Sequence, residues 1–292
     1  MQLIWYPANN GSAITFSRDA TDFRLLRKIT GFAYCDVDRI TTAKAPGQHG
    51  ITPIDDLFGE RKVSFDIIIQ STSLENQQAL VAQLATALNP TAGIGTLRRV
   101  NEDGTEYDLY CKPDLPTIST DGTLDAVQAS LSFVAQDPFL YSGSAQIVFI
   151  DATPEEFFPF EFPFSLASGT STATATNNGQ IETPAIITIW GPITNPVIVV
   201  TRTIAGATDT ATLSLTKALV AGDSIVINTD TDIMTCMLYP VTGGSSNAMA
   251  YVDVGSDFFS LYPGSNSIHL TSTTSASGSS LTVQWSDKYI GI

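Results

Sequence analysis

Two stretches of alternating apolar residues constrain the fold more than any other feature of this chain. The first, RKVSFDIIIQS, runs from Arg61 to Ser71 and places four apolar side chains on one face, Val63, Phe65, Ile67 and Ile69. The second, DAVQASLSFVA, does the same with Val127, Ala129, Leu131, Phe133 and Ala135. A period of two is typical of a half-buried strand. The chain is therefore predicted to be built on β-sheets.

One segment, STSLENQQALVAQLATALNP, has helical periodicity instead. We predict a helix that begins at a capping box formed by Thr72 and Glu75 and ends at Pro90. Its apolar stripe is predicted to contain Leu74, Val81, Leu84 and Leu88. Such a stripe packs on a sheet, and contact with a partner helix is the alternative.

The second alternating run ends at Asp137-Pro138, because proline cannot donate a ladder hydrogen bond and restricts the residue before it. A stretch rich in proline, phenylalanine and glutamate follows, and then a Ser/Thr/Ala tract. A chain of 292 residues is also long for one core. We therefore predict an N-terminal domain at 1–144 and a C-terminal domain at 145–292, in which 145–181 includes a connecting segment. Short strand patterns separated by turn residues after Glu182 predict a β-sandwich.

The charge of the chain argues against a polyanionic partner. The formal net charge is −15, and three basic residues follow Ser144, namely Arg202, Lys217 and Lys288. Nucleic acid and anionic lipid both bind clustered Lys and Arg, so neither is expected as a partner. The chain has no apolar run long enough to span a bilayer, and its N-terminus lacks the pattern of a signal peptide. The three cysteines form no CxxC pair, which fits synthesis in a reducing cytoplasm.

Residue types that carry catalysis or bind cofactors are sparse. The two histidines, His49 and His269, have no partner at metal-ligand spacing. GIGTLR, Gly93 to Arg98, lacks the third glycine of a dinucleotide fingerprint and follows a helix rather than a strand. Asp230 and Asp232 are candidate calcium ligands, but a solvated turn is the favoured interpretation. The sequence therefore predicts no catalytic, cofactor-binding or metal-binding residue.

A weak carbohydrate contact by the C-terminal domain is the alternative kind of site. Four aromatic residues are candidates for sugar stacking, Trp190, Trp285, Tyr239 and Tyr251. Most tryptophans of small sandwiches are nevertheless core or interface residues. Three glutamates lie among prolines and phenylalanines without a pattern that pairs them as a glycosidase acid and base, Glu155, Glu156 and Glu161. An enzyme, such as a glycosidase attached to a larger assembly, is therefore disfavoured.

Short motifs follow one another in a fixed order along most of the chain. The first half has the glycine-containing loop at Thr41–Glu60, then the strand Arg61–Ile67, the helix, Gly95–Leu97, and the closing Asp137–Phe139. The second half has turn motifs carried by Asn178, Gly179, Pro184, Gly191, Asn195, Pro196, Gly222, Asp223, Leu261, Pro263, Gly264 and Asn266. This order resembles the distal tail protein family of long-tailed (siphovirus-like) bacteriophages, except that residues 151–176 fit no family motif.

The resemblance implies a mainly β protein with an N-terminal β-sandwich or split-barrel domain, one packed helix, and a C-terminal sandwich similar to galectin or carbohydrate-binding modules. It implies a structural virion protein, synthesised in the bacterial host cytoplasm, that forms a six-membered ring at the tip of the tail tube. Rings of this kind can stack. The partners it implies are the tail tube protein, hub or tape-measure proteins and receptor-binding proteins. A carbohydrate-binding module-type adhesion protein without a ring is the alternative.

Overall fold

The computed structural model describes the chain except for residues 10, 42–45, 47–48, 50, 52, 72, 120–125 and 153–170. It divides into two compact units. Unit 1 contains Met1–Gly143 together with Tyr289–Ile292, and unit 2 contains Ser144–Lys288. The sequence grouped residues 289–292 with the C-terminal domain, whereas the structure groups them with the N-terminal unit. Within the described ranges, no helix is long and apolar enough to cross a bilayer.

Unit 1 is a barrel with a helix packed against it. Its helices are α1 (Leu74–Ala87) and a 3-10 turn at Pro90–Ala92. Its strands are β1 (Gln2–Tyr6), β2 (Ile14–Ser17), β3 (Phe23–Thr30), β4 (Val37–Thr41), β5 (Pro53–Phe58), β6 (Arg61–Gln70), β7 (Gly95–Val100), β8 (Glu106–Pro113), β9 (Thr117–Ser119), β10 (Ala126–Ala135) and β11 (Leu140–Ser142). Seven of them follow the order β8-β7-β1-β2-β3-β6-β10, and a pairing of β10 with β8 closes the sheet.

The two alternating runs form the longest strand pair of this barrel. β6 and β10 pair antiparallel from Arg61 opposite Ala135 to Gln70 opposite Ala126. Their inward residues join the same core as Trp5, Phe16 and the buried leucines of α1. The helix is fixed to β1 by the indole of Trp5, which donates a 2.8 Å hydrogen bond to the carbonyl of Ala87.

The helix differs from its prediction in two details. Its N-cap is Ser73, whose side chain accepts from the backbone amide of Asn76 at 3.2 Å, so the cap is not Thr72, which lies outside the described residues. Its buried face contains Leu80, Leu84 and Leu88, whereas Leu74 is 52% exposed. The predicted stripe was therefore wrong at Leu74, which precedes the first turn that contacts the core.

Unit 2 is a β-sandwich with a small third sheet. Its strands are β12 (Gln146–Asp151), β13 (Ser171–Asn177), β14 (Ile186–Trp190), β15 (Ile193–Thr194), β16 (Val197–Ile204), β17 (Ala207–Ser214), β18 (Ala218–Leu219), β19 (Ser224–Asn228), β20 (Thr235–Tyr239), β21 (Ser246–Asn247), β22 (Gly264–Thr271), β23 (Thr274–Ser275) and β24 (Ser280–Trp285), followed by the boundary strand β25 (Lys288–Tyr289). A six-stranded sheet has the order β12-β24-β14-β19-β20-β21, and a four-stranded sheet the order β13-β22-β16-β17.

The core of unit 2 lies between these two sheets. Ile187, Ile225 and Leu281 of the six-stranded sheet belong to the same buried cluster as Ile198 and Leu270 of the four-stranded sheet. Alternate residues of each strand face this core, as the short apolar runs after Glu182 predict. The predicted mainly β fold with a C-terminal sandwich is thus confirmed.

Candidate functional site

The strands β4 and β5 form a separate two-stranded sheet in unit 1, which we call the ribbon (Val37–Thr41 and Pro53–Phe58). Both of its faces carry exposed apolar side chains. Val37 pairs with Phe58 on one face, and Ile40 and Leu57 lie on the other. An isolated two-stranded ribbon is marginally stable in water. Exposed apolar residues grouped in this way mark an interaction surface.

Acidic side chains lie beside the apolar residues of the ribbon. Asp38 and Asp55 share a face with Ile40 and Leu57, and the remaining acid, Asp56, lies 3.8 Å from the guanidinium of Arg39. All of these groups are exposed. The ribbon is therefore amphipathic, and it fits a protein surface better than a lipid or nucleic acid.

The strand after the ribbon begins with a buried cation. Arg61 is 0% exposed, and in the described structure it forms no ion pair. Its guanidinium instead donates to five backbone carbonyl oxygens, those of Gly31 at 2.7 Å, Phe32 at 3.2 Å, Tyr34 at 3.3 Å, Pro138 and Ile290. Burial lowers the pKa of Arg61, and nearby Cys35 and Asp137 partly offset this effect. The group remains a cation, because an arginine pKa lies far above neutrality.

Arg61 thus brings together motifs that are distant in the sequence. Pro138 belongs to the closing Asp137–Phe139 motif, and the ring of Phe139 lies 5.4 Å from that of Phe58 at the end of the ribbon. Ile290 belongs to the last residues of the chain, where the amide of Ile292 donates to Phe32 at 3.1 Å. Arg61 therefore binds backbone segments that lie beside the ribbon in the chain or contact its end through Phe139.

No buried role is predicted for Arg61 from the sequence, although the alternating run contains a signal for its burial. Arg61 has the same phase as Val63 and Phe65, so the pattern that buries those residues also buries the arginine. Arginine is almost never fully buried unless it is paired. A charged residue at a position of a strand that faces the core therefore indicates that several hydrogen-bond acceptors surround it.

The histidines and the GIGTLR motif lie apart and form no catalytic site within the described residues. His49 is exposed in a loop of unit 1, whereas His269 lies in β22 with its Nδ1 2.8 Å from the hydroxyl of Thr172. Arg98 of the GIGTLR motif lies in β7 and forms ion pairs with Asp108 at 2.7 Å and Glu106 at 2.8 Å. The hydrogen bond to Asp108 raises the pKa of Arg98. These contacts hold β7 against β8.

The acidic residues considered as calcium ligands form a turn, and those considered as a glycosidase pair lie outside the described residues. Between β19 and β20, the amide of Asp230 donates to Asn228 at 2.9 Å, and that of Asp232 donates to Asp230 at 3.0 Å. These bonds form the turn between the two strands. Glu155, Glu156 and Glu161 lie outside the described residues. The described ranges contain no cluster of three or more potential metal ligands.

The four aromatic candidates of unit 2 separate into two groups. Trp285 lies in the core and donates to Asp287 at 3.0 Å, and Tyr251 packs against the core under Lys217. Trp190 and Tyr239 are both 42% exposed. They face the same side of the six-stranded sheet, because each pairs with Ser224 of β19.

Comparison with known proteins places the second unit in a phage context. Residues 178–289 match the family described as the siphovirus-type tail component, C-terminal domain. The family resemblance drawn from the sequence is confirmed. No curated protein matches the chain.

Solved structures extend the similarity to the whole chain. The crystal structure of the SPP1 Dit protein, described as a paradigm of the hub adsorption apparatus in phages that infect Gram-positive hosts, matches with a TM-score of 0.64 and 15% identity over 91% of this chain and 93% of that one. A chain of the phage P2 baseplate in its activated conformation with Ca matches with a TM-score of 0.55 and 11% identity over 100% and 99%. The likeness in fold to the SPP1 Dit protein therefore extends over both units.

Proposed function

We propose that this chain is a structural virion protein, the distal tail hub at the tip of a phage tail tube. The match of residues 178–289 to the siphovirus-type tail component carries the proposal, and the likeness of both units to the SPP1 Dit protein supports it. The work of such a protein is to hold other proteins in a fixed geometry. It requires no catalytic residue, and we assign none.

Self-association into a six-membered ring, single or stacked, is the finer part of the proposal. A ring that closes by rotation needs two different surfaces on each copy, joined head to tail. The ribbon can supply one of them, because it exposes apolar residues on two faces and forms a sheet separate from the seven strands that close the barrel. The net charge of −15 suits a channel through which DNA passes without adhering.

The proposed partners are the tail tube protein on one side of the ring and hub, tape-measure or receptor-binding proteins on the other. The proposed location is the virion, after synthesis in the host cytoplasm. Unit 1 is expected to carry the ring contacts, and unit 2 the contacts with adhesion and baseplate components.

The ring is tested by the solution mass of the full chain. The intact protein is expected to form a species of about six times the 31.1 kDa chain mass, or a multiple of it. Leu57→Asp in the ribbon is expected to give monomers, because a carboxylate in an apolar interface is costly. Val254→Asp is the matched control, since Val254 is fully exposed in unit 2. An intact protein that stays monomeric and does not bind tail tube protein contradicts the ring, as does a Leu57→Asp variant that still assembles.

A carbohydrate-binding adhesion protein without a ring is the second candidate function. The observation that favours it is the exposure of Trp190 and Tyr239 on one face of unit 2. The mass measurement separates the two candidates, because glycan binding alone requires no ring.

A further inference from the structure

The outer face of the six-stranded sheet in unit 2 has an unusual distribution of side chains. Trp190 of β14 and Tyr239 of β20 both pair with Ser224 of β19, so the three residues form one row perpendicular to the strands. The two rings are therefore separated by two strand spacings, roughly 10 Å. Phe149 of β12 is 61% exposed and lies on the same face two strands beyond β14. It is displaced by one outward position along the strand, because it pairs with Thr282 of β24 whereas Trp190 pairs with Ser280. We call these three rings the ring track.

Polar strands alternate with the strands of the ring track. The outward residues of β24 are Ser280, Thr282 and Gln284, and those of β19 are Ser224, Val226 and Asn228. Of these residues, Ser224 and Ser280 are buried. Thr282, Gln284 and Asn228 supply the more accessible hydroxyl and amide groups between the aromatic side chains. A protein partner packs best on a continuous apolar surface. On this face, polar side chains instead lie among the aromatic and aliphatic ones.

An extended polysaccharide has the matching pattern. Each pyranose ring has an apolar face of C–H bonds that can stack on the electron-rich face of an aromatic ring. The hydroxyl groups at its edges need hydrogen-bond partners, which serine, threonine, asparagine and glutamine side chains supply. A chain lying across the strands meets aromatic and polar columns in turn.

The charge of the face selects an uncharged chain. Among the outward positions of these described strands, the one charged side chain is Asp151 of β12, which lies in the row of Trp190 because both residues pair with Ser280. Arg202, one of the three basic residues after Ser144, is on the other sheet, 2.8 Å from Asp209. With a net charge of −15, the protein repels anionic polymers at long range.

We propose that this face binds an extended, uncharged polysaccharide that lies across the strands and stacks on Trp190 and Tyr239, with Phe149 prolonging the track. The proposal gives the second candidate function a ligand class and a binding mode. It does not require the six-membered assembly, because every residue of the face belongs to unit 2. A tail hub protein that has this face would therefore also bind glycan.

The tryptophans provide a direct probe of binding. Of the three in the chain, Trp5 and Trp285 are buried and Trp190 is exposed. Acrylamide quenching of fluorescence therefore reports mainly on Trp190. The neutral probes are hexasaccharides of β-1,4-linked glucose and of β-1,4-linked N-acetylglucosamine, and the anionic control is a galacturonate hexamer. At least one neutral probe is expected to bind the full chain and shield Trp190, and the anionic one is not.

Variants distinguish sugar stacking from a protein contact. Trp190→Ala and Tyr239→Ala are each expected to weaken binding, measured by calorimetry, by about tenfold or more. Ile147→Ala and Ile186→Ala remove exposed apolar side chains from the same face without removing a ring, so they are expected to leave glycan affinity within about twofold. Failure of both neutral probes to bind at millimolar concentration overturns the proposal. Equal losses of glycan affinity in the isoleucine variants and in the Trp190 and Tyr239 variants also overturn it, as does equal binding of the anionic hexamer. The solution mass of the six-membered assembly would be unaffected in each case.

Discussion

Arg61 joins its own strand to three other segments of unit 1 through their backbone carbonyls. It lies at the start of β6 and donates to the loop after β3, to Pro138 and to Ile290 near the end of the chain. Without the guanidinium, these carbonyls lose their donor in a site that is buried or part-buried. A buried polar group without a partner costs about 1–3 kcal/mol, so the loss is expected to exceed that of an ordinary ion pair.

Arg61→Met is therefore expected to lower the free energy of unfolding of unit 1 by about 3 kcal/mol or more. Thermal denaturation followed by calorimetry measures the change. Arg39→Met is the control, because Arg39 is exposed and its contact with Asp56 is 3.8 Å long. The control is expected to change stability by less than about 1 kcal/mol. Equal effects of the two substitutions would mean that the carbonyl contacts of Arg61 contribute little.

The cysteines are expected to differ in reactivity. Burial raises the pKa of Cys236 to about 11 and raises that of Cys111 further, so both thiols stay protonated at neutral pH. The thiolate is the reactive form. Iodoacetamide at pH 7.5 is expected to label Cys35, which is half-buried, and to label all three cysteines after denaturation. Mass spectrometry of native and denatured samples counts the labels. Native labelling of Cys111 would show that β8 opens in solution.

At the scale of the element, alternation in the sequence predicts the strands well and their closure poorly. Val63 to Ile69 and Val127 to Ala135 form β6 and β10 as predicted, because period-two burial is a local property of each strand. The closure of the barrel depends on two residue pairs, Phe133 with Pro113 and Val134 with Lys112. No local pattern in the chain specifies such a pairing. Trp190 and Tyr239 were predicted as stacking candidates, but Phe149 was missed for the same reason, since only the strand order brings it onto the face that carries Trp190.

The helix allows a matched test of core packing. Leu84→Asp is expected to destabilise unit 1 by about 4 kcal/mol or more, because a carboxylate replaces a fully buried leucine. Leu74→Asp in the same helix is expected to change stability by less than about 0.5 kcal/mol, since Leu74 is exposed. Circular dichroism during urea denaturation measures both. A Leu84→Asp variant as stable as the parent would indicate that this face of α1 is not buried in solution.

At the scale of the whole molecule, the chain enters unit 2 after Gly143 and returns to unit 1 at Tyr289. The returning residues make specific contacts there. The ring of Tyr289 lies 5.2 Å from that of Tyr107, and Gly291 approaches the backbone of Ala33 so closely that a side chain would clash. Sequence motifs divided the chain once, near Asp137-Pro138, because four residues are too few to show a pattern.

Removal of residues 289–292 is expected to destabilise unit 1 while leaving unit 2 folded. The truncated chain loses the carbonyl of Ile290 that accepts from Arg61 and the bond between Ile292 and Phe32. Calorimetry is expected to show an earlier transition for unit 1 and an unchanged one for unit 2. Gly291→Ala keeps the chain length and is expected to shift the same transition in the same direction. An unchanged profile of the truncated protein would show that the contacts of these residues are not needed for stability.

The return of the chain also affects the order of events during synthesis. The ribosome synthesises the barrel strands of unit 1 long before it reaches Ile290, whose carbonyl is one of the five acceptors of Arg61. The nascent N-terminal unit therefore waits for its last stabilising contacts until unit 2 has emerged and can fold. If the ribbon mediates assembly, the hydrogen bonds that hold the segments beside it are completed at that late stage. Copies of the protein would then become competent to join one another only after translation has passed the sandwich, which protects a growing chain from premature association on a polysome.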